Sequence, residues 1–174
     1  MVESSDILNA RILIVYDQEA GVLLLERMLE QAGYTSVTST RDPLEVYELH
    51  RVHAYDLVLL DLQMPEMDGF QVIERLKTIE TDGYVPVLVI TAQPDHKLRA
   101  LEAGARDFIN KPFDLAEVLA RVRNLLEVRL LHGESKYYRN QLERTVQELK
   151  ATLELLHEER LGALLAHQLS NAAD

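Results

Sequence analysis

Residues 56–69 read DLVLLDLQMPEMDG. Leu57, Val58, Leu59 and Leu60 form a short continuous apolar run, the pattern of a strand whose sheet is covered on both faces. A carboxylate, Asp61, ends the run. Pro65 and the Asp68-Gly69 pair follow, so the backbone must turn away where that carboxylate emerges. In open parallel sheets, ligands bind at the C-terminal edge of the strands. An aspartate there can equally cap a loop, and the flanking segments decide between the two readings.

Upstream, Arg11 to Tyr16 (RILIVY) is a second buried-strand candidate, followed directly by Asp17. Gln18 to Ala32 places Val22, Leu25, Met28 and Leu29 at helical spacing, and Gly33 supplies a stop. Residues 35–40 (TSVTST) are β-branched and short. Asp42-Pro43 has the form of an N-cap followed by proline at the first helical position, with Leu44, Tyr47, Leu49 and Val52 as the buried face. Downstream of the central strand, Phe70 to Ile79 reads as a helix presenting Val72, Ile73, Leu76 and Ile79. Gly83 breaks the chain, and 85–90 (VPVLVI) forms the next strand, ending in Thr91-Ala92. A helix over Asp95 to Ala103 is closed by Gly104. A last strand, Asp107 to Asn110, reaches Lys111-Pro112-Phe113, and Asp114 caps a final helix.

Five strands alternating with five helices predict an α/β fold: a flavodoxin-like, doubly wound five-stranded parallel sheet, (βα)5, with helices on both faces and an extended C-terminal helix. Composition agrees. The 174 residues are 47% hydrophobic and 27% charged, enough for one domain with an appendage. With no cysteine, disulfides and thiolate metal sites are excluded, which fits a reducing compartment. A formal charge of −11 argues against broad attraction to nucleic acid or to anionic lipid. The N-terminus is acidic where a secretory signal is basic, and its apolar run is too short to span a bilayer. A cytoplasmic protein with no direct nucleic-acid or membrane partner is expected.

Four strands deliver polar groups to one edge: Asp17, Asp61, Thr91 and Lys111. Two nearby carboxylates repel unless a cation joins them, and oxygen ligands at a water-accessible edge suit Mg²⁺. A lysine and a hydroxyl opposite complete a cradle for phosphoryl oxygens. Asp61 then becomes an in-line nucleophile, its product an acyl phosphate. Taken singly, Thr91 can be a helix cap and Lys111 a solvated loop residue; their coincidence at strand ends favours a site.

The words ILIVYDQEAG, LVLLDLQMPEMDGF, VPVLVITA and ARDFINKPF resemble the receiver domain of two-component response regulators, a CheY-like superfamily, over residues 11–128. The resemblance implies that Asp61 accepts a phosphoryl group from the phosphohistidine of a histidine kinase or phosphotransfer protein. It implies Mg²⁺ as cofactor, held by Asp17, Asp61 and the backbone carbonyl of Gln63. Thr91 then bonds the phosphoryl oxygen in the active state, Lys111 pairs with the phosphoryl group, and Phe108 is the aromatic switch that turns inward. Lys111-Pro112 matches a peptide bond that is usually cis, and Gln63 and Gln93 match positions that influence hydrolysis of the acyl phosphate. The activity implied is that of a phosphoacceptor with self-phosphorylation and autodephosphorylation only. One departure stands out: Tyr16 occupies the first of two usually acidic positions, which should weaken Mg²⁺ binding and lower repulsion of incoming phosphate.

Residues 1–10 read as an N-terminal extension and 129–174 as a helical, coiled-coil extension or a linker to an output domain absent from this sequence. From Asp114 to Leu169 the chain reads as nearly continuous helix, broken only by Gly133. Leu142, Val146, Leu149, Leu153 and Leu156 alternate by four and three, flanked by Glu143, Arg144, Glu148, Lys150 and Glu154. A parallel homodimer is expected; a helix folding back onto the receiver is the alternative. Phosphorylation would then change the face made by the fourth and fifth helices and the fifth strand, and with it the packing of two such tails. In similar proteins such a helix often leads into a cyclic-di-GMP-processing or kinase module. His132, His157 and His167 read as surface or seam residues, and Arg121 and Arg123 as solvated or interface residues, with Asp107 placed to pair with one across a dimer. Two other functions compete: a phosphorylation-independent scaffold, and an aspartyl-nucleophile phosphatase, which usually needs an acid two residues after the nucleophile where this chain has Gln63.

Overall fold

A computed structural model describes residues 1–65, 67–79 and 85–172. Five parallel strands, β1 (Arg11–Val15), β2 (Ser36–Thr40), β3 (Leu57–Asp61), β4 (Val87–Thr91) and β5 (Asp107–Asn110), form one sheet in the order β2-β1-β3-β4-β5. The helices are α1 (Ser4–Leu8), α2 (Glu19–Gln31), α3 (Val46–His53), α4 (Gly69–Ile79), α5 (His96–Ala103) and α6 (Leu115–Ala172). Chain contacts divide the molecule into two compact units, Met1–His132 and Gly133–Asp174.

Alternation along the three central strands divides the core between the two sheet faces. Ile12, Ile14, Leu57, Leu59, Leu88 and Ile90 meet Leu25 and Leu29 of α2 and Val118, Val122 and Leu126 of α6. Leu13, Val15, Val58, Leu60, Val87 and Val89 meet Val46 of α3, Phe70, Ile73 and Leu76 of α4 and Ala100 of α5. Each fully buried Leu or Ile here is worth about 1.5–3 kcal/mol relative to leaving it in water. That double covering explains the unbroken apolar runs of β1, β3 and β4. The serine- and threonine-rich β2 lies at an edge of the sheet and is only partly buried.

Several local expectations need correction. The N-terminal extension contains α1, held by Asp6 Oδ2 accepting the Glu3 N–H at 2.8 Å and by burial of Ile7. Asp42 does not cap α3: its Oδ1 accepts the Leu44 N–H at 2.8 Å and closes a turn, and the helix starts at Val46. The buried face of α3 is accordingly Val46 and His50, while Leu44 and Val52 are exposed. His50 enters the core because its Nδ1 accepts the Tyr55 N–H. The strand expected over 85–90 begins at Val87, and Gly83 lies outside the described residues. At the end of α5, Gly104 adopts φ 118°, a left-handed conformation that favours glycine.

Asp114 Oδ1 caps α6 by accepting the Ala116 N–H at 2.8 Å. Gly133 does not break this helix, which also passes through Gly162. A glycine costs about 1 kcal/mol there, too little against long flanking runs of strong helix formers. Arg121 is not left for a dimer partner: its Nη1 donates to both carboxylate oxygens of Asp107 of its own chain at 2.7 and 2.6 Å, and its Nε and Nη2 hold Glu117. Arg123, His132, His157 and His167 are exposed. Among the described residues, no helix is long and apolar enough to cross a membrane.

Candidate functional site

β3 ends on Asp61, whose residue is only 1% exposed. A carboxylate this deep needs partners, and it has two. Oδ1 accepts the Gln63 N–H at 3.0 Å, and Oδ2 accepts a hydrogen bond from Lys111 Nζ at 2.8 Å. Lys111 follows β5 directly, and its own N–H donates to the Thr91 carbonyl at 2.8 Å, fastening that loop to the end of β4. Thr91 is fully buried, and its Oγ1 accepts the Gln93 N–H at 3.1 Å. The Lys111-Pro112 peptide bond is cis.

The sheet register sets these neighbours. Asp61 pairs with Ile90 on β4, one residue before Thr91, and Val15 pairs with Leu60 across β1 and β3, which carries Tyr16 and Asp17 to the same edge. Asp17 is partly buried, and its Oδ1 is fully buried without any hydrogen-bond donor. The Asp17 carbonyl accepts Arg41 Nε at 3.0 Å. Asp17, Arg41, Asp42, Pro43 and Pro65 line an open cleft of about 500 Å³. Counting polar strand ends in the sequence omits Arg41, which follows β2 directly; the signal was its place after a β-branched run.

Tyr16 is a residue of the site and not merely a missing carboxylate. It is 5% exposed, and its ring lies beneath Lys111, with Nζ 4.4 Å from the ring centre. Burial pulls the Lys111 ammonium down, but the hydrogen bond to Asp61, the carboxylate's charge and the neighbouring Tyr16 outweigh it, so its pKa is raised. Phe108, on β5, is partly buried under Lys97, whose Nζ sits 4.2 Å from the ring centre. Gln63 and Gln93 are exposed beside the site.

No group of three or more His, Cys, Asp or Glu side chains able to hold a metal occurs among the described residues. The donors that are present fit Mg²⁺ nonetheless. That ion typically takes one or two carboxylates and retains several waters, and the undonated Oδ1 of Asp17 is an oxygen for which a cation is the natural partner.

Comparison with known proteins agrees with this geometry. Residues 12–123 match the Response regulator receiver domain family. Response regulator PleD of Caulobacter vibrioides is 40% identical over 129 residues, 73% of this chain and 28% of that protein. The DNA-binding dual master transcriptional regulator RpaA of Synechocystis is 42% identical over 118 residues, 67% of this chain and 48% of that protein. The chain thus spans half or less of the length of these curated relatives. Among solved structures, the signal receiver domain of a signal transduction histidine kinase from Syntrophus aciditrophicus is similar, with a TM-score of 0.61 and 34% identity over 68% of this chain and 90% of that one. The receiver domain of sensor histidine kinase PA1611 from Pseudomonas aeruginosa has a TM-score of 0.63 and 27% identity over 68% of this chain and 98% of that one, and was solved with a magnesium ion coordinated in its active-site cleft. Buried carboxylate, paired lysine, sheet order and sequence all converge: this chain belongs to the response regulator receiver domain family.

Proposed function

We propose that Asp61 is the phosphoacceptor of this receiver, taking its phosphoryl group from the phosphohistidine of a histidine kinase or phosphotransfer protein in the cytoplasm. The observation that carries the reading is the Asp61 carboxylate itself, buried at a strand end and bonded to a lysine at 2.8 Å. An Asp61 oxygen attacks phosphorus in line; the new P–O bond forms as the P–N bond breaks, and the imidazole leaves with the electron pair. Lys111 and the Thr91 hydroxyl donate to the phosphoryl oxygens as charge moves onto them. Bound Mg²⁺, held by Asp17, Asp61 and the Gln63 carbonyl, would offset the negative charge of carboxylate and donor. Thr91 swings toward the phosphoryl group, Phe108 turns inward, and the face formed by α5, β5 and α6 changes.

The tail is read as a dimerising helix. Leu142, Val146, Leu149, Leu153 and Leu156 are all exposed at heptad spacing, and a second copy of this chain would cover them. A phosphorylation-independent scaffold is the second reading, favoured only by Tyr16 in place of an acidic residue.

Intact mass after treatment with a small phosphodonor and Mg²⁺ tests the proposal. Wild type should gain one phosphoryl mass and Asp61→Asn none. Catalytic turnover of phosphomonoesters would favour a phosphatase, and inertness to both phosphodonor and beryllofluoride would favour the scaffold.

A further inference from the structure

A lysine ammonium has three donors and keeps its position only where acceptors or a ring face fix it. Lys111 has Asp61 Oδ2 on one side. On another side it has Tyr16, as a ring face at 4.4 Å. The Tyr16 ring is itself confined. It is buried in the core formed with α2, and its edge passes so close to Gly21 of α2 that a Cβ there would stand 2.6 Å from Cδ1 and 3.0 Å from Cζ, with Cε1 nearer still. Only a residue without a side chain leaves room for this ring. A tyrosine at position 16 and a glycine at position 21 are therefore one structural device.

We propose that Tyr16 is a positioning residue that holds the Lys111 ammonium against Asp61, with Gly21 supplying the space that lets the aromatic ring reach it. A neutral aromatic thus takes over at a position where a carboxylate would pull on the lysine by charge. The site keeps two carboxylates, Asp17 and Asp61, and one ammonium, so an incoming anionic phosphoryl group meets less negative charge. The lysine is steered by a ring face, whose attraction to a cation is strongest where water is excluded. This rests on the proposed phosphoacceptor role of Asp61 for its functional meaning, but the positioning itself can be read independently.

The experiment compares wild type, Tyr16→Phe and Tyr16→Leu by two readouts. The first is the proton resonance of the Lys111 side chain. Lying over a ring, its Hε signals should appear upfield of those of lysines that face no ring, stay upfield in Tyr16→Phe and return to the ordinary position in Tyr16→Leu, while those of Lys97, over Phe108, stay shifted in all three proteins. The second is phosphorylation by acetyl phosphate with saturating Mg²⁺. The maximal rate should fall about tenfold in Tyr16→Leu, the equivalent of one strong cation–ring contact, with the half-saturating donor concentration little changed and Tyr16→Phe largely retaining the rate. An unshifted Lys111 signal in wild type, or one that survives in Tyr16→Leu, overturns the proposal, as does an unchanged maximal rate in Tyr16→Leu. If Lys111 responds as expected but wild type takes no phosphoryl group, positioning stands and the phosphoacceptor reading alone fails.

Discussion

Replacing Gly21 with alanine gives opposite results depending on what stands at position 16. Gly21 is the third residue of α2, and alanine at a helical site is better than glycine by up to about 1 kcal/mol. Against this, the new methyl would lie 2.6 Å from Tyr16 Cδ1 and 3.0 Å from Cζ, where carbon atoms prefer about 3.5–4.0 Å. The ring is 5% exposed and cannot swing away freely. Overpacking of this kind costs about 1–3 kcal/mol, so Gly21→Ala should destabilise wild type by about 0–2 kcal/mol. In a Tyr16→Asp background the obstruction is gone, and the same change should stabilise by up to about 1 kcal/mol. Urea unfolding of the four proteins, followed by near-ultraviolet circular dichroism of the remaining tyrosines, gives the coupling energy. It should be about 1–3 kcal/mol. Equal stabilisation by Gly21→Ala in both backgrounds would refute the reasoning, because it would mean that the ring is not wedged against α2.

The Asp61–Lys111 pair yields two further expectations. Lys111→Met leaves a buried carboxylate without its cation and should cost about 3 kcal/mol, whereas the Asp61→Asn, Lys111→Met double variant should recover much of that loss; denaturant midpoints decide. Because the Lys111 pKa is raised above its ordinary 10.5, with burial opposing and the Asp61 hydrogen bond and charge prevailing beside Tyr16, the contribution of the pair is fully present below that value. It is lost as pH climbs through the higher folded value. Wild type should therefore show a stability loss in strong alkali that Lys111→Met lacks, visible in melting temperature against pH. Tyr16→Asp adds a carboxylate beside Asp17 and should bind Mg²⁺ more tightly than wild type in a metal titration; equal affinities would contradict the charge argument. Changing Leu149 and Leu153 together to glutamate should convert a dimer to a monomer by sedimentation equilibrium, and an unchanged mass would exclude this stripe as the seam.

The sheet was legible because β1, β3 and β4 are buried on both faces and so read as unbroken apolar runs, each closed by a polar group. Asp61, Thr91 and Lys111 do converge, since each directly ends or follows a strand of the same ladder. What escaped is of three kinds. The helix α1 is five residues long, too short for periodicity to register, and depends on one carboxylate at its start and on Ile7. Asp42-Pro43 carries the residue types of a helix start but spends its carboxylate on a preceding turn. The contacts of Tyr16 with Lys111 and of Arg121 with Asp107 are tertiary: residue type announces a missing charge or a spare one, and only the fold says what fills the space.

Asp17, Asp61, Thr91 and Lys111 all stand at or just beyond the ends of adjacent strands, whose mutual distance is fixed at about 4.8 Å by backbone hydrogen bonding. The chemistry is thus dimensioned by the scaffold, and the exposed loop residues beside it, Gln63 and Gln93, are free to drift. On the proposed phosphoacceptor reading, substituting these side chains should change how long a phosphoryl group stays on Asp61 more than how fast it arrives, so timing and competence would evolve separately.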